Sequence, residues 1–379
     1  MKFKGLIPEH QVQDILLPLP RWNYGEIRDG RKIVDPMMHF GAFVLGYKKD
    51  EIVDFVADVL KGERPELGEN QMSKGGANRL NHISFEFADR VHALTGMKSF
   101  YSLSGSDANE GAIKLATAYQ WQKGNKHKNI VVGFSDSYHG STMMTCSVGY
   151  ENFMDNPFYT LEPHQNTRRI SRNWAEQDID WDNVAAVIIE PCSYGSALVP
   201  PTDEWWAHLD KIRTDHDVVI IFDDIFTGGG KTGNYVGWHD TPIKPDISTM
   251  GKAITGGFFP LSMVLYNERI ENVLPEGFFW EHGFTYSFSL AGIASAIKYL
   301  DILERDNLLE KHDEIVERAI SVFENNGHVV TSRYGLIFKA ARSDDEQDKH
   351  FYVIPLNADD EYFEALQENL IWFTQNTTH

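Results

Sequence analysis

The sequence predicts an α/β protein with a large domain built on a mostly parallel, doubly wound sheet, and two observations indicate this. First, six short runs rich in β-branched and aromatic residues alternate with longer amphipathic stretches. Second, these runs are almost continuously apolar and are bounded by Gly, Pro or Asp, which is typical of strands buried on both faces of a parallel sheet. We expect this domain to cover residues 50–290.

The elements follow one another in a regular order. The predicted strands are SFYSLSG, NIVVGF, AAVIIEP, VVIIFDD, ISTMGKA and LSMVLYN. SDANEGAIKLATAYQWQKG and TDEWWAHLDKIRTDHD predict helices, the first running from Ser106 to Gly124 because acidic residues suit its first turn. One long helix from Ser289 to Gly327, a short segment beginning HVVTSRYGLIF and an acidic tail helix predict a small α+β C-terminal domain.

The composition excludes several classes of protein. The 379 residues carry 55 acidic and 35 basic side chains, a formal net charge of −20, so nucleic-acid backbones and anionic membranes repel the chain. Two cysteines, Cys146 and Cys192, without paired spacing exclude a disulfide framework or a cysteine-based zinc site. The chain has no apolar run of membrane-spanning length and no signal-peptide pattern. We therefore expect a cytoplasmic protein that binds neither nucleic acid nor membrane.

The segment VVIIFDDIFTGGGKTG, residues 218–233, looks at first like a phosphate-binding P-loop. A P-loop requires a glycine five positions before the glycine that precedes its lysine, and Ile225 occupies that position here. The residues that follow, NYVGWHD, are also not an amphipathic helix. An ATP-binding role is therefore disfavoured, and a different partner must account for the carboxylates of Asp223 and Asp224 at the end of a buried strand.

Several polar residues fall at the carboxyl ends of the predicted strands, where open parallel sheets bind their ligands. They are Ser104, Gly105, Ser106, Tyr138, His139, Glu190, Asp223, Asp224 and Lys252. Taken singly, most fit an ordinary structural role, such as a capped helix, a core tyrosine, a structural histidine or a buried ion pair. Together, an anion site, a stacking aromatic ring, a carboxylate and a lysine flanked by glycine describe a pocket for pyridoxal 5′-phosphate (PLP).

These motifs resemble the class-III (ω-type) aminotransferases, which are PLP-dependent enzymes of fold type I. The matching pieces are SGSDANEGAIKLA, YHGST, AAVIIEPCSYG, IIFDDIFTGGGKTG, PDISTMGKAITGG and HGFTYSFSLAGIASA, in the family's order and spacing. The resemblance extends from Asp29 to Gly335. It implies transfer of an amino group from an amine or amino acid to a keto or aldehyde acceptor, with PLP held as an internal aldimine on Lys252.

The resemblance also implies a role for individual residues. The implied cofactor-binding residues are Gly105, Ser106, Tyr138, Asp223, Ile225, Lys252 and Thr285. Lys252, Asp223 and Tyr138 are the implied catalytic residues, as the Schiff-base lysine, the partner of the pyridine nitrogen and the ring that stacks on the cofactor. Thr285 matches a threonine that reaches the phosphate of the neighbouring subunit, so a homodimer with shared active sites is expected.

Three parts of the chain are expected on this basis. Residues 1–49 form an N-terminal segment that contributes to the small lobe and the active-site entrance. Residues 50–290 form the large PLP-binding domain, and residues 291–379 form a shortened small domain. Asp224, which stands where the family usually has Glu, is expected to make structural hydrogen bonds.

Three departures from the family pattern concern substrate choice. Phe226 stands where many members have Gln near the cofactor's phenolic oxygen. Gly195 stands where several ω-aminotransferases carry a glutamate that gates a substrate-binding arginine. That arginine is itself missing, because no arginine follows Arg342. Three other arginines, Arg168, Arg169 and Arg172, are expected to lie in a polar loop with no fixed position relative to the cofactor ring.

These departures predict an apolar pocket that prefers amines with apolar chains over glutamate, lined by aromatic residues. The expected lining is Trp22, Phe40, Tyr138 and Phe226. Among subfamilies, the chain is most similar to the 7,8-diaminopelargonate-type enzymes and then to the amine:pyruvate type. A PLP-dependent aminomutase of the same family and a PLP-binding protein with degraded catalysis are the alternatives.

Overall fold

The computed structural model describes residues 21–64, 82–149, 155–156, 159–160, 162–173, 178–278, 280, 282–342 and 349–376. The strands, numbered in chain order, are β1 (Arg21–Trp22), β2 (Gly25–Arg28), β3 (Arg31–Val34), β4 (Lys98–Ser102), β5 (Ile130–Phe134), β6 (Asp155–Asn156), β7 (Tyr159–Thr160), β8 (Thr167–Ile170), β9 (Val184–Ile189), β10 (Val219–Asp223), β11 (Ile247–Met250), β12 (Ser262–Tyr266), β13 (His328–Tyr334), β14 (Ile337–Arg342) and β15 (Lys349–Val353). The α-helices span Asp50–Lys61, His82–Thr95, Gly105–Gln122, Met143–Val148, Asp203–His216, Glu268–Glu271, Leu290–Arg305, His312–Asn325 and Asp360–Asn376. The short segment Met38–Gly41 has left-handed backbone angles and is a turn.

A seven-stranded sheet with the order β4-β12-β11-β10-β9-β5-β8 forms the centre of the protein. All six predicted strands belong to it, and β9, β10 and β11 are buried along their whole length. Neighbouring strands from β11 to β8 are parallel. The α/β fold class predicted from the sequence is therefore confirmed.

Two details of the sheet differ from the sequence prediction. The LSMVLYN run forms β12, which is antiparallel to both β11 and β4. The link from β11 to β12, residues 251–261, is shorter than the crossover of a dozen or more residues that a parallel neighbour requires. The seventh strand, β8, lies at the sheet edge and carries Arg168 and Arg169, which were expected in a polar loop.

The helices follow the predicted order with two corrections. The helix predicted from Ser106 runs over Gly105–Gln122, with Ser104 as its cap. The single long helix predicted after the sheet is two helices, Leu290–Arg305 and His312–Asn325. Asn307 has a φ of 50° between them, and the N–H of Leu308 donates to the carbonyl of Leu303 at 3.0 Å. Asparagine tolerates this left-handed conformation better than most residues, so the helix ends there.

Two three-stranded antiparallel sheets and the antiparallel pair of β6 and β7 lie outside the central one. β1, β2 and β3 form the first, and β13, β14 and β15 form the second. The backbone N–H of Val34 donates to Asn369 of the last helix at 2.8 Å, and the N–H of Val353 donates to the carbonyl of Pro36 at 2.7 Å. The N-terminal strands therefore contact the C-terminal elements, while the predicted domain limits at residues 49 and 290 remain a prediction.

Candidate active site

Asp223 ends β10 and lies at the centre of a buried hydrogen-bond network. Its Oδ2 atom accepts hydrogen bonds from Nδ1 of His139 and Nδ2 of Asn109, each at 2.8 Å. Its Oδ1 atom accepts longer bonds, from the backbone N–H of Ile225 at 3.2 Å and from Oγ1 of Thr249 at 3.5 Å. Because a carboxylate has about four acceptor positions, Oδ1 can still take a short bond from a cationic donor.

Asn109 joins a helix and two strand ends around this carboxylate. Its Nδ2 atom also donates to the carbonyl of His139 at 2.8 Å, and its Oδ1 atom accepts from Thr249 at 2.7 Å. The sequence favoured a structural role for His139, and it gave no signal for Asn109 or Thr249, which lie inside a helix and a strand. Only the position of His139 directly after Tyr138 pointed towards the site.

The helix Gly105–Gln122 begins at the same edge of the sheet. Oγ of Ser104 accepts from the N–H of Asp107 at 3.4 Å, and the carboxylate of Asp107 accepts from the N–H of Ser104 at 2.6 Å. Oγ of Ser106 accepts from the N–H of Ser141 at 3.0 Å. A helix N-terminus offers backbone N–H groups and the positive end of the helix dipole, which together suit a phosphate.

Two glycines, Gly105 and Gly140, lie where the backbone packs closely against neighbouring side chains. A Cβ on Gly105 would lie 2.7 Å from Cδ1 of Ile225. A Cβ on Gly140 would lie 2.3 Å from Oγ of Ser106, and the φ of Gly140 is 125°, which also favours glycine. The backbone at Gly105 therefore approaches the loop after Asp223 more closely than any other residue would allow.

Lys252 follows β11 and adopts an unusual backbone conformation. Its φ is 50°, in the left-handed region that costs a residue other than glycine about 1–2 kcal/mol. The residue as a whole is partly exposed, but its ammonium group is enclosed by protein, with Nζ 4.9 Å from the ring centroid of Phe226. Burial of the ammonium lowers the pKa of Lys252, and the carboxylates of Asp223 and Glu190 oppose this effect. An amine of this kind is a better nucleophile and proton acceptor near neutral pH.

Glu190 follows β9 and is almost completely buried. Within the described part of the chain, its hydrogen bond is with the backbone N–H of Tyr138, at 2.8 Å. Burial raises the pKa of Glu190 to about 7, and the repulsion of Asp223 adds to this, while His139 and Lys252 oppose it. Tyr138 is 45% exposed, and its hydroxyl forms a hydrogen bond with Oγ of Ser141 at 3.2 Å.

Asp224 makes the structural hydrogen bonds expected of it. Its carboxylate accepts from Oγ1 of Thr227 at 2.5 Å and from the N–H of Gly237 at 2.8 Å. Complete burial raises the pKa of Asp224 to about 7. Asp224 therefore shapes the turn after β10, whereas Asp223 faces the network described above.

Gly195 shows why the loop after β9 carries no gating glutamate. A Cβ at this position would lie 2.0 Å from the carbonyl oxygen of Asp136. Oγ of Ser193 also donates to that carbonyl at 2.5 Å, so the two segments are in direct contact. Any side chain at Gly195 would force them apart.

The remaining predicted residues differ in their burial and in their neighbours. Phe226 is buried beside Lys252, and Phe40 is 64% exposed. Trp22 does not line the pocket as expected, because it is buried against Tyr24 in the core. Thr285 lies in an exposed turn, and its predicted contact with a neighbouring subunit remains a prediction.

Arg172, which lies near the predicted gate position, already forms an ion pair with Asp136. Nε of Arg172 donates to Oδ2 of Asp136 at 2.6 Å. Its guanidinium carbon lies 5.4 Å from the ring centroid of Phe134 and 5.7 Å from that of Trp205. Arg172 therefore packs against the sheet, while its two terminal nitrogens are buried and have no hydrogen-bond partner among the described residues.

Comparison with known proteins decides the family. The family model of the class-III aminotransferases matches residues 21–333. The chain belongs to this family. An uncharacterized aminotransferase of Sinorhizobium fredii is 33% identical over 237 residues, which are 56% of this chain and 51% of that protein. The succinylornithine transaminase of Salmonella typhi is 33% identical over 63% of this chain and 57% of its own length.

Solved transaminase structures share the fold of this aminotransferase-family chain. A transaminase from the marine bacterium Virgibacillus has a TM-score of 0.83 and 19% identity, covering 100% of this chain and 98% of that one. An amine transaminase from an uncultivated Pseudomonas species, described as PLP-bound, has a TM-score of 0.78 and 22% identity, covering 98% of both chains. The chain spans little more than half the length of the curated relatives it matches.

Two further observations concern membrane-spanning helices and metal sites. Among the described residues, no helix has the length and apolar character needed to cross a bilayer. In the same part of the chain, no three His, Cys, Asp or Glu side chains are grouped so that they could hold a metal ion.

Proposed function

We propose that this chain is a PLP-dependent aminotransferase. The observation that carries the proposal is the arrangement of Asp223 and Lys252 at the ends of the neighbouring parallel strands β10 and β11. One is an acceptor inside a network of donors, and the other is an amine whose pKa burial lowers. A carboxylate for the pyridine nitrogen and a nucleophilic lysine for the aldehyde are the two groups that PLP chemistry needs from a protein.

The shape of the site supports PLP as the cofactor. Gly105 and Gly140 let the backbone lie close to Ile225 and Ser106, next to a helix N-terminus suited to a phosphate. Nε2 of the buried His139 has no hydrogen-bond partner among the described residues. A buried polar atom of this kind indicates a missing partner, such as a ligand or water.

Each residue would act on the bound cofactor in a defined way. The backbone at Gly105 and the hydroxyl of Ser106 would bind the phosphate, and Ile225 and Tyr138 would enclose the ring. Asp223 would keep a proton on the pyridine nitrogen, with His139 and Asn109 orienting the carboxylate. When bound, PLP supplies an electron sink for the bonds at the donor's reacting carbon.

Lys252 would perform the proton transfer. Its Nζ would hold the cofactor in the resting enzyme, and its free amine would move a proton between the donor's reacting carbon and the cofactor. Burial lowers the pKa of Lys252, and this direction favours the neutral amine that the proton transfer requires.

We further propose that apolar amines are better donors than glutamate. Gly195 leaves no space for the gating glutamate, and Phe226 places an aromatic ring beside Lys252 where the family often has an amide. A charged hydrogen bond is worth about 1.5–3 kcal/mol, so the loss of a carboxylate clamp should cost glutamate roughly ten- to a hundredfold in rate. The relatives named as succinylornithine transaminases offer a third donor type for comparison.

The assembly and location belong to the same proposal. Thr285, Phe284 and Tyr286 are exposed in one turn, which supports a role for this turn at the interface of a homodimer with shared active sites. The composition and charge support a cytoplasmic protein.

The experiment that tests the function is a half-reaction followed by absorbance. The chain is loaded with PLP, and the spectrum is recorded after mixing with an apolar ω-amine, L-alanine, N-succinylornithine or L-glutamate. We expect the band of the lysine-bound cofactor to disappear with at least one donor, fastest with the apolar amine. Cofactor binding without a spectral change for any donor would support a PLP-binding protein with degraded catalysis instead.

A further inference from the structure

Lys231, in the glycine-rich turn after Asp224, is a fully buried lysine whose described hydrogen bonds go to backbone carbonyls. Its side chain is 0% exposed, and its Nζ donates to the carbonyl of Gly228 at 2.5 Å and to the carbonyl of Gly41 at 3.4 Å. In the described part of the chain it forms no ion pair. Burial lowers the pKa of Lys231 to about 7, and the charge of Lys252 adds to this effect. Burying the amine of a lysine is costly unless it is hydrogen-bonded, so the two carbonyl contacts of Lys231 matter at this position.

The carbonyl of Gly41, which accepts a hydrogen bond from Lys231, lies at the end of a backbone turn with strained dihedral angles. Met38, His39 and Phe40 have φ values of 44°, 52° and 56°, and Gly41 follows with 74°. Three consecutive residues other than glycine in the left-handed region each cost about 1–2 kcal/mol, and such strain gathers at ligand-binding and catalytic sites. The strained turn, Met38–Gly41, therefore persists only because its surroundings hold it.

Two groups hold the strained turn from opposite ends. At the start, the carboxylate of Asp35 accepts from the N–H of Met37 and from the N–H of His39, each at 2.9 Å. At the end, Lys231 donates to the carbonyl of Gly41. Lys231 is also fixed by its backbone, since its carbonyl accepts from the N–H of Leu336 at 2.7 Å.

The strained turn lies directly against the site. A Cβ on Gly41 would be 3.3 Å from Cε2 of Phe226, and 3.6 Å from Cε of Lys231. The Phe226 ring also contacts Lys252, whose Nζ is 4.9 Å from the ring centroid. The Phe226 ring therefore lies between the strained turn and the amine of Lys252 in this chain of contacts.

We infer that Lys231 is a positioning residue that holds the strained turn against Phe226 and so fixes the wall of the donor site beside Lys252. The hold of Lys231 on the strained turn, here called the clamp, is inferred from distances and backbone angles alone. Only the description of this wall as a donor site rests on the proposed aminotransferase function.

The test compares Lys231→Met and Lys231→Arg with Lys244→Met. Lys244 is a matched control, because it is an exposed lysine that also donates to backbone carbonyls, those of His239, Trp238 and Thr241, the last two at 3.3 and 3.2 Å. The first measurement is amide hydrogen exchange of the PLP-loaded chain. The amides of Gly41 and Ala42 report on the turn, because they donate to the carbonyls of Met37 and Met38 at 2.8 and 3.1 Å.

We expect Lys231→Met to speed exchange in peptides covering residues 37–43 by at least about tenfold, the effect of losing roughly 1.4 kcal/mol of local stability. Peptides from β9 and β10 should be unchanged. Lys231→Arg should keep most of the protection, and Lys244→Met should match the unmodified chain. Unchanged exchange at residues 37–43, or an equal increase in every peptide, would overturn the inference.

The second measurement separates this inference from the proposed function. With an apolar amine donor, Lys231→Met should raise KM at least about tenfold and lower kcat less than about threefold, because it disturbs a wall and not the reacting groups. An equal loss in kcat and an unchanged KM would contradict the positioning role. If no variant or parent turns over, the exchange result alone decides on the clamp. If Lys231→Met does not fold, Lys231→Gln, which is shorter and neutral, takes its place in both measurements with the same expected results.

Discussion

Nδ1 of His139 lies 2.8 Å from Oδ2 of Asp223, and both side chains are almost completely buried. Because His139 and Asn109 both bond to Oδ2, the other oxygen of Asp223 is left with only longer contacts among the described residues. The carboxylate is thus oriented before any ligand arrives. Such preorganisation is what makes an electrostatic contact effective in a transition state.

The first prediction concerns the two adjacent aspartates. Asp223→Ala should lower the rate of amino transfer at least about a hundredfold, the effect of losing an electrostatic contact that stabilises the transition state. Asp224→Ala should mainly lower the free energy of unfolding, because its bonds hold the turn at Thr227 and Gly237. Stopped-flow half-reactions and urea unfolding of both variants measure this. A larger rate loss in Asp224→Ala would reverse the assignment.

A second prediction follows from the contact between Gly105 and Ile225. Gly105→Ala should weaken PLP binding about tenfold or more, because its methyl group would lie 2.7 Å from Cδ1 of Ile225 and overpacking costs about 1–3 kcal/mol. Ile225→Val removes that atom, so the double variant should recover most of the affinity. Titration of the three variants with PLP, followed by absorbance, checks this. No recovery in the double variant would show that the clash is not the cause.

The third prediction concerns the missing gate. Gly195→Glu should lower the free energy of unfolding by at least about 2 kcal/mol, because the new Cβ would lie 2.0 Å from the carbonyl of Asp136. Val199→Glu is the matched control, since Val199 is exposed in the same loop. Urea unfolding should separate the two variants. Equal stability of both would mean that the loop can accept a gating glutamate.

The fourth prediction concerns pH. In the folded chain without cofactor, Glu190 keeps its proton up to about pH 7, whereas its ordinary pKa is 4.5. The folded state therefore binds more protons than the unfolded state in this window, and the contribution of Glu190 to stability falls as pH rises from 4.5 to about 7.

Glu190→Gln removes this dependence. Between pH 5 and pH 8, the free energy of unfolding of the variant should fall less than that of the parent, by up to about 3 kcal/mol. Glu310→Gln, at an exposed position, should behave like the parent. Urea unfolding at the two pH values measures the difference. Parallel pH curves for parent and Glu190→Gln would contradict the raised pKa of Glu190.

The sequence predicted the strands well because its apolar runs are short, rich in β-branched residues and flanked by Gly, Pro or Asp, which together distinguish a buried strand from a buried helix. It did not predict the direction of β12, since a buried run carries no mark of its orientation. The edge strand β8 was missed because Arg168 and Arg169 give it a polar pattern that resembles a loop. The break at Asn307 depends on a left-handed conformation, which asparagine permits but does not require.

The placement of Asp223 and Lys252 at neighbouring strand ends was predictable because each follows an apolar run, while their catalytic roles remain predictions. Residues that act through a neighbour were not predictable, because their partners lie far away in the chain. Asn109 meets Asp223 across 114 positions, and His139 meets it across 84. The strained turn near Phe40 also left no trace in the sequence, because backbone strain depends on what surrounds it.

Trapping the cofactor tests the central claim most directly, because a second lysine, Lys231, lies against the same turn that contacts Phe226. The PLP-loaded chain is reduced with sodium borohydride, digested and analysed by mass spectrometry, alongside Lys252→Ala and Lys231→Met. We predict a phosphopyridoxyl group on the peptide containing Lys252 in the parent and in Lys231→Met, and none at that peptide in Lys252→Ala. A label on Lys231, or no label on Lys252 in the parent, would contradict the assignment of Lys252 as the residue that carries the cofactor.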